Sequence, residues 1–348
     1  MTSLVGQWLG EYQVETELGR GTMGVVYRAR HQPTGKQFAI KVLIDALSAD
    51  LTFVTRFRRE AAIVAQLNHP NIVRVYESAK QDKHIYYVME YFQGVTAGHM
   101  LRERKRLPSG EVIEIVAQAA DALAYAHEVG RLVHRDVKPE NMLVDRWRRV
   151  KLLDFGLARI EGMDAITRAG TVVGSLYYVS PEQLLGRKLD GRSDVYALGV
   201  SMYEMLTGQR PYRGQTLTEM SDAILYGTAI PPRQIEPSVP PELERMVAKA
   251  MARDLSQRYA SADDLRADLR SLQTGATAPA PEASAEPAPP RAAPFAPPAQ
   301  RPAAAETPPA TPQAAPQAAP RTLRSSFRPA SLEPASFDGQ RDPRQSGG

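Results

Sequence analysis

Two hydrophobic rhythms divide the chain. Over its first quarter, segments 12–18, 25–30, 37–42, 72–78 and 85–90 are rich in Val, Ile and Tyr. Their junctions carry Gly, Pro or polar residues, such as Gly19-Arg20-Gly21, Pro33-Thr34-Gly35 and Gln81-Asp82. Runs of this kind predict strands, because branched and aromatic side chains pack well on a pleated surface. One segment interrupts them: 52–66 places Phe53, Phe57, Ile63 and Val64 near helical spacing. From Ser109 onward the period becomes helical. Ser109-Gly110-Glu111 opens a helix reaching residue 128, with Val112, Ile115, Val116, Ala119, Leu123 and Ala126 on one apolar face. Further helices are predicted at 193–208, 217–226, 241–251 and 261–272. The fold class is therefore α+β and bilobal. A β-rich lobe (12–92) follows a short N-terminal segment (1–11) and joins an α-rich lobe (93–272), with the seam near 92–95.

Composition changes this picture at one place. From Gly275 to Gly348 the chain carries 17 of its 28 prolines and much alanine. Such a segment buries too little apolar surface to offset its ordering entropy, so a disordered Pro/Ala-rich tail (273–348) is expected. Elsewhere composition mainly excludes. A formal charge of +4 over 348 residues, with no long basic run, gives no nucleic-acid or membrane signal. The absence of cysteine rules out disulfides and thiolate metal sites and suits a reducing compartment. The first ten residues lack a basic segment followed by an apolar core, so no secretory signal is expected. No uncharged apolar run approaches the roughly 18 residues of a membrane span. A soluble, cytoplasmic protein is the expectation.

Candidate chemistry begins at Gly19-x-Gly21-x-x-Gly24. This pattern also fits a dinucleotide-binding turn, but that turn leads into a helix, whereas here Val25-Val26-Tyr27 starts a strand. The motif reads as a hairpin, either an ordinary glycine-rich one or one folded over phosphates, where glycine permits close backbone approach. Lys41 ends the apolar run Ala39-Ile40-Lys41, and Glu60 lies on the helix that follows; alone, each reads more readily as a solvated surface residue. The densest cluster is His134-Arg135-Asp136-Val137-Lys138-Pro139-Glu140-Asn141, followed 13 residues later by Asp154-Phe155-Gly156. A candidate base, a cation and a metal-binding amide within six residues suit in-line transfer of a phosphoryl group to a hydroxyl. A transferring phosphoryl group carries diffuse negative charge and needs cations and positioning more than covalent chemistry.

Taken in order, these motifs resemble the protein kinases, specifically the eukaryotic-like (Hanks-type) serine/threonine kinases of bacteria, over roughly 12–272. The resemblance implies a protein-kinase fold and an ATP-dependent transfer of the γ-phosphate to Ser or Thr hydroxyls of protein substrates. It implies that Asp136 orients the hydroxyl and accepts its proton, that Lys138 offsets γ-phosphate charge, and that Asn141 and Asp154 hold Mg²⁺, with Mn²⁺ as an alternative. Lys41 would contact the α/β-phosphates, tethered by Glu60. Gly19, Gly21 and Gly24 would cover the phosphates. Leu18, Val26, Ala39 and Leu143 would sandwich the adenine, Met89 would stand behind it, and backbone groups of Glu90 and Phe92 would hydrogen-bond it. His134 is assigned to the scaffold. Asp194 would brace the catalytic loop, and Arg258 would pair with Glu182. Lys138 favours the Ser/Thr-specific form of the loop.

Arg135, just before the candidate base, adds positive charge that a phosphate on the segment between Gly156 and Pro181 could offset. Thr171 and Thr167 are the expected autophosphorylation sites, which makes the protein its own substrate. Thr307-Pro and Thr311-Pro in the tail are candidate phosphosites for phosphothreonine-reading domains; an unregulated flexible tail is the simpler reading. Ser175 and Ser180 stand where the family usually has Thr and Ala, and neither change removes a charge or a metal ligand. Two other functions compete: a pseudokinase scaffold with a partner-recruiting tail, and a small-molecule kinase. Intact Lys41, Asp136, Asn141 and Asp154 argue against the first. The Asp-x-Lys-Pro loop and a segment ending at Glu182 argue against the second.

Overall fold

Six strands build one antiparallel sheet in the order β1-β2-β3-β4-β6-β5: β1 (Trp8–Leu9), β2 (Tyr12–Arg20), β3 (Gly24–His31), β4 (Gln37–Leu43), β5 (Val75–Gln81) and β6 (His84–Glu90). The computed structural model describes residues 3–21, 24–44, 48, 51–155 and 174–273. Burial follows strand alternation. Tyr86 and Val88 of β6 join Val25, Tyr27, Ile40 and Val42 in a small core on one face, with Leu4 and Leu9 from the N-terminal segment. Ile85, Tyr87 and Met89 point the other way into the main core, together with Ala39. A strand covered on both faces needs apolar residues at nearly every position, which is how Ile85-Tyr86-Tyr87-Val88-Met89 reads.

The glycine turn sits between β2 and β3, where the Gly21 amide donates to the Gly24 carbonyl at 2.9 Å. A Cβ on Gly24 would stand 2.3 Å from the Val42 carbonyl oxygen on β4. Gly24→Ala is therefore expected to force the β3–β4 pair apart and to lower stability by about 1–3 kcal/mol, read as a lower Tm. Gly19→Ala, where a Cβ meets nothing within 4 Å, should be close to neutral for the fold.

The predicted strand at 72–78 is displaced. Ile72 and Val73 leave the large sheet and join a small one formed by β7 (Val95–Thr96), β8 (Met142–Val144) and β9 (Val150–Leu152). The Val73 amide donates to the Leu152 carbonyl at 3.0 Å, and the Leu152 amide donates to the Asn71 carbonyl at 2.8 Å. The Asn71 side-chain amide also reaches the Val150 carbonyl at 2.8 Å. These bonds claim the backbone before β5 can begin, so apolar Ile72 is buried as a bridge rather than as a strand residue.

Helix α1 (Leu51–Val64) follows β4, and the remaining helices come after β6: α2 (Ala97–Arg104), α3 (Ser109–Gly130), α4 (Pro181–Leu184), α5 (Gly191–Thr207), α6 (Leu217–Tyr226), α7 (Pro232–Ile235), α8 (Pro241–Ala250) and α9 (Ala262–Gln273). The long elements match their hydrophobic periods to within about two residues. Helices α2, α4 and α7 are too short to show a period and were not predicted. Their ends are set by local chemistry instead: Thr96 caps α2, and Ser180 with Gln183 forms a capping box on α4. Helix α5 is buried from Ser193 to Thr207 and forms the axis of the α-rich part. Among the described residues no helix is long and apolar enough to cross a membrane. The tail assigned to 273–348 lies, beyond Gln273, outside the described residues.

Candidate active site

Strand register gathers the first group. In the ladders Val26 faces Lys41, Lys41 faces Tyr87, and Ala39 faces Met89. Directly paired residues share a face, as do residues two apart, so these five side chains point to one side of the sheet. Ala39 and Met89 are each 5% exposed, and Val26 and Leu143 pack against the same core. Leu18 is set apart from them, 46% exposed. Glu90 spends its amide on the Arg74 carbonyl (2.8 Å) and its carboxylate on Lys151 (2.9 Å). Phe92 lies 5.8 Å from the Lys151 ammonium.

Below this face stands Asp154. Its Oδ2 accepts from Lys41 Nζ at 2.6 Å and its Oδ1 from the Tyr87 hydroxyl at 2.7 Å. Burial alone would push this carboxyl up; the Lys41 ammonium and its hydrogen bond, the Tyr87 hydroxyl and the nearby His134 outweigh it and hold the group below the usual carboxylate range. The anion is thus maintained in a poorly solvated place. The backbone of Asp154 is left-handed (φ 55°), unusual for a residue with a Cβ. Backbone strain of this type concentrates at functional sites.

The second group is held by a short 3₁₀ turn, Pro139–Asn141. Lys138 Nζ donates to Asp136 Oδ2 at 2.7 Å. The Asn141 side-chain amide donates to the Asp136 carbonyl at 2.7 Å and to Asp136 Oδ2 at 3.0 Å. The Leu153 amide donates to the Asn141 carbonyl at 2.9 Å, which ties the turn to the residue preceding Asp154. His134 is fully buried. Its Nε2 donates to the Leu153 carbonyl at 2.8 Å, its Nδ1 accepts from the Asp136 amide at 3.3 Å, and its ring packs 4.5 Å from Phe155. Both ring nitrogens are occupied, so the imidazole is a strut between the two groups.

Asp194, in the first turn of α5, supports the strut from beneath. Its carboxylate accepts the His134 amide at 2.7 Å and the Arg135 amide at 2.8 Å. Arg135 has φ 68°, a second left-handed non-glycine residue, and this pair of bonds holds it there. Burial pushes the Asp194 carboxyl up against the opposing effect of these donors and of His134. Arg258 and Glu182 pair as expected, at 2.7 Å.

The geometry therefore brings together Lys41, Asp154, Asp136, Lys138 and Asn141, with Val26, Ala39, Met89 and Leu143 against the adjoining core. The Glu60 side chain, Gly156, Thr167, Thr171 and the Ser175 side chain lie outside the described residues. Sequence reasoning missed Tyr87. Part of its signal was present: alternation along β6 puts Tyr87 on the face of Met89, whereas its place opposite Lys41 follows only from the pairing with β4. Among the described residues no three His, Cys, Asp or Glu side chains cluster as a metal cage. One carboxylate and one amide are instead a donor set for a hard cation that keeps waters and substrate phosphates, as Mg²⁺ does.

Known proteins resemble the chain over most of its length. The family described as the protein kinase domain matches residues 12–268. The chain is 37% identical over 268 residues to the serine/threonine-protein kinase PrkC of Bacillus subtilis, covering 77% of this chain and 41% of that protein. It is 38% identical over 276 residues to the serine/threonine-protein kinase PknB of Mycobacterium leprae, covering 78% and 44%. The crystal structure of the Mycobacterium tuberculosis PknI kinase domain superposes with a TM-score of 0.62 at 30% identity, covering 76% of this chain and 98% of that one. The chain spans about two-fifths of the length of the curated relatives it matches.

Proposed function

This chain belongs to the protein kinase family, among the bacterial serine/threonine kinases, and on that premise we propose that it transfers the γ-phosphate of ATP to Ser and Thr hydroxyls of proteins. The observation that carries the reading is the joining of two charged groups through His134 and Leu153: Asp136 with Lys138 and Asn141 on one side, Asp154 with Lys41 on the other. Asp136 is the residue to orient the acceptor hydroxyl and take its proton. Lys138 lies beside it, where it offsets charge on the transferring group. Lys41 supplies a cation for the α/β-phosphates, with Glu60 as its second partner. Asn141 and Asp154 would hold Mg²⁺, or Mn²⁺ in its place. When bound, that ion neutralises charge developing on the phosphates.

The adenine is assigned to the apolar wall of Val26, Ala39, Met89 and Leu143, with Leu18 at the edge and backbone groups of Glu90 and Phe92 beside it. Gly19, Gly21 and Gly24 are assigned to the phosphates. The catalytic unit is taken as 12–272, with lobes 12–92 and 93–272, and 273–348 as a flexible tail. Thr171 and Thr167 are proposed autophosphorylation sites, and Thr307 and Thr311 proposed contacts for phosphothreonine-reading domains. A cytoplasmic role in signal transduction follows from the same reading.

The test incubates purified protein with labelled ATP, Mg²⁺ and a Ser/Thr-bearing acceptor protein, beside Asp136→Asn. Loss of the general base should lower Mg²⁺-dependent labelling by roughly 10²- to 10³-fold. Phosphopeptide mapping of the same reaction reports whether Thr167, Thr171, Thr307 and Thr311 are acceptors. Equal labelling in the two proteins would refute the assignment of Asp136. Nucleotide binding without transfer would favour a scaffold.

A further inference from the structure

We propose that Tyr87 is a positioning residue for the Asp154 carboxylate, holding it in the orientation in which it receives the divalent cation. The inference rests on the reading of Asp154 as a metal ligand and adds a residue that the reading does not include.

The two oxygens of Asp154 have separate donors from adjacent strands. Lys41 on β4 takes Oδ2 at 2.6 Å, and Tyr87 on β6 takes Oδ1 at 2.7 Å. Lys41 and Tyr87 are direct cross-strand partners, so the sheet register itself sets the spacing of the two donors. Tyr87 is 1% exposed within the main core, and its ring has no freedom to swing away. Each carboxylate oxygen offers more than one lone pair, so a hydrogen bond to Oδ1 leaves room for a cation on the same group.

The two donors differ in what else they must do. Lys41 is charged, and the proposed function gives it phosphates to bind. Tyr87 is neutral and rigid, and the proposed function gives it no phosphate to bind. When Lys41 shares its charge with a nucleotide, the bond from Tyr87 is the one that keeps Asp154 in place. Donors of this kind behind a metal ligand commonly change metal affinity or activity by about 10- to 100-fold.

The experiment measures Mn²⁺ affinity of the protein–ADP complex by electron paramagnetic resonance, with Tm and metal-free ADP affinity recorded alongside. Tyr87→Phe should weaken Mn²⁺ binding about tenfold and leave metal-free ADP affinity unchanged. In kinetics, the Mg²⁺ concentration for half-maximal rate should rise while the rate at saturating Mg²⁺ is largely retained. Tyr87→Leu, which also lacks the hydroxyl, replaces the Phe variant if that one fails to fold. Unchanged or tighter Mn²⁺ binding would overturn the proposal. Asp154→Asn is the control for the underlying reading. If it leaves Mn²⁺ affinity intact, the ligand assignment itself is wrong; if it weakens binding and Tyr87→Phe does not, only the role of Tyr87 falls.

Discussion

Replacing Asp154 with Asn is expected to lower phosphoryl transfer about a thousandfold while the protein stays folded. The substitution keeps size and shape, and an amide oxygen can still accept from Lys41 or Tyr87. What it removes is negative charge at a place arranged to keep it. Asp154 is 24% exposed and Lys41 11%, and a buried carboxyl would ordinarily resist ionisation. Here the neighbouring ammonium and hydroxyl reverse that tendency, and the group sits below the usual range. A neutral amide is a weaker ligand for a hard dication. Loss of about 4 kcal/mol of transition-state stabilisation corresponds to roughly 10³ in rate. Steady-state rates across a Mg²⁺ series, with Tm as the folding control, provide the measurement. A rate within about tenfold of the parent protein would remove Asp154 from the proposed chemistry.

Much of this site was legible because it lies in contiguous motifs. Asp136, Lys138 and Asn141 fall within six residues, and a single 3₁₀ turn is enough to bring them together. Lys41 and Ala39 lie two apart on one strand and so share a face, though their roles came from the resemblance. What was not legible depends on pairing between distant segments. Tyr87 acquires its role only when β6 is set against β4 in one register, and sequence alternation does not specify a register between strands separated by a helix. The diversion of Ile72 was hidden for the same reason. Its apolar character suits a strand, but the Asn71 side chain and the backbone of β9 hold that segment elsewhere. Asp194 illustrates an intermediate case. Taken alone, a carboxylate opening an apolar helix looks like a cap; the resemblance assigned it to the catalytic loop, and its bonds to the His134 and Arg135 amides add that it supports a left-handed residue.

Arg258→Ala should destabilise the fold by about 3–5 kcal/mol, a larger effect than any other single change considered for stability. The guanidinium is completely buried and pairs with Glu182, itself 5% exposed, at 2.7 and 3.2 Å. It also donates to the carbonyls of Ala252 and Arg192, and lies 5.0 Å from the Tyr196 ring. Truncation therefore empties a packed volume, frees two part-buried carbonyls and leaves Glu182 with the Ser193 hydroxyl at 2.7 Å and its own backbone amide. A buried carboxylate deprived of its cation is the dominant cost. Burial would raise the Glu182 carboxyl, but Arg258 and Ser193 hold it below the usual range. The folded state thus binds fewer protons there than the unfolded chain, so this contribution is present above the unfolded carboxylate range and is lost as pH falls. Removing both charges with Glu182→Gln and Arg258→Met should recover part of the loss, because an uncharged pair incurs less desolvation. Denaturant unfolding of the single and double variants at neutral and acid pH decides the matter. In the parent, acid should weaken the fold; in Arg258→Ala that pH dependence should shrink or reverse, since protonation there relieves an unpaired charge. A loss below about 1 kcal/mol in the single variant would show that water or rearranged neighbours replace the guanidinium.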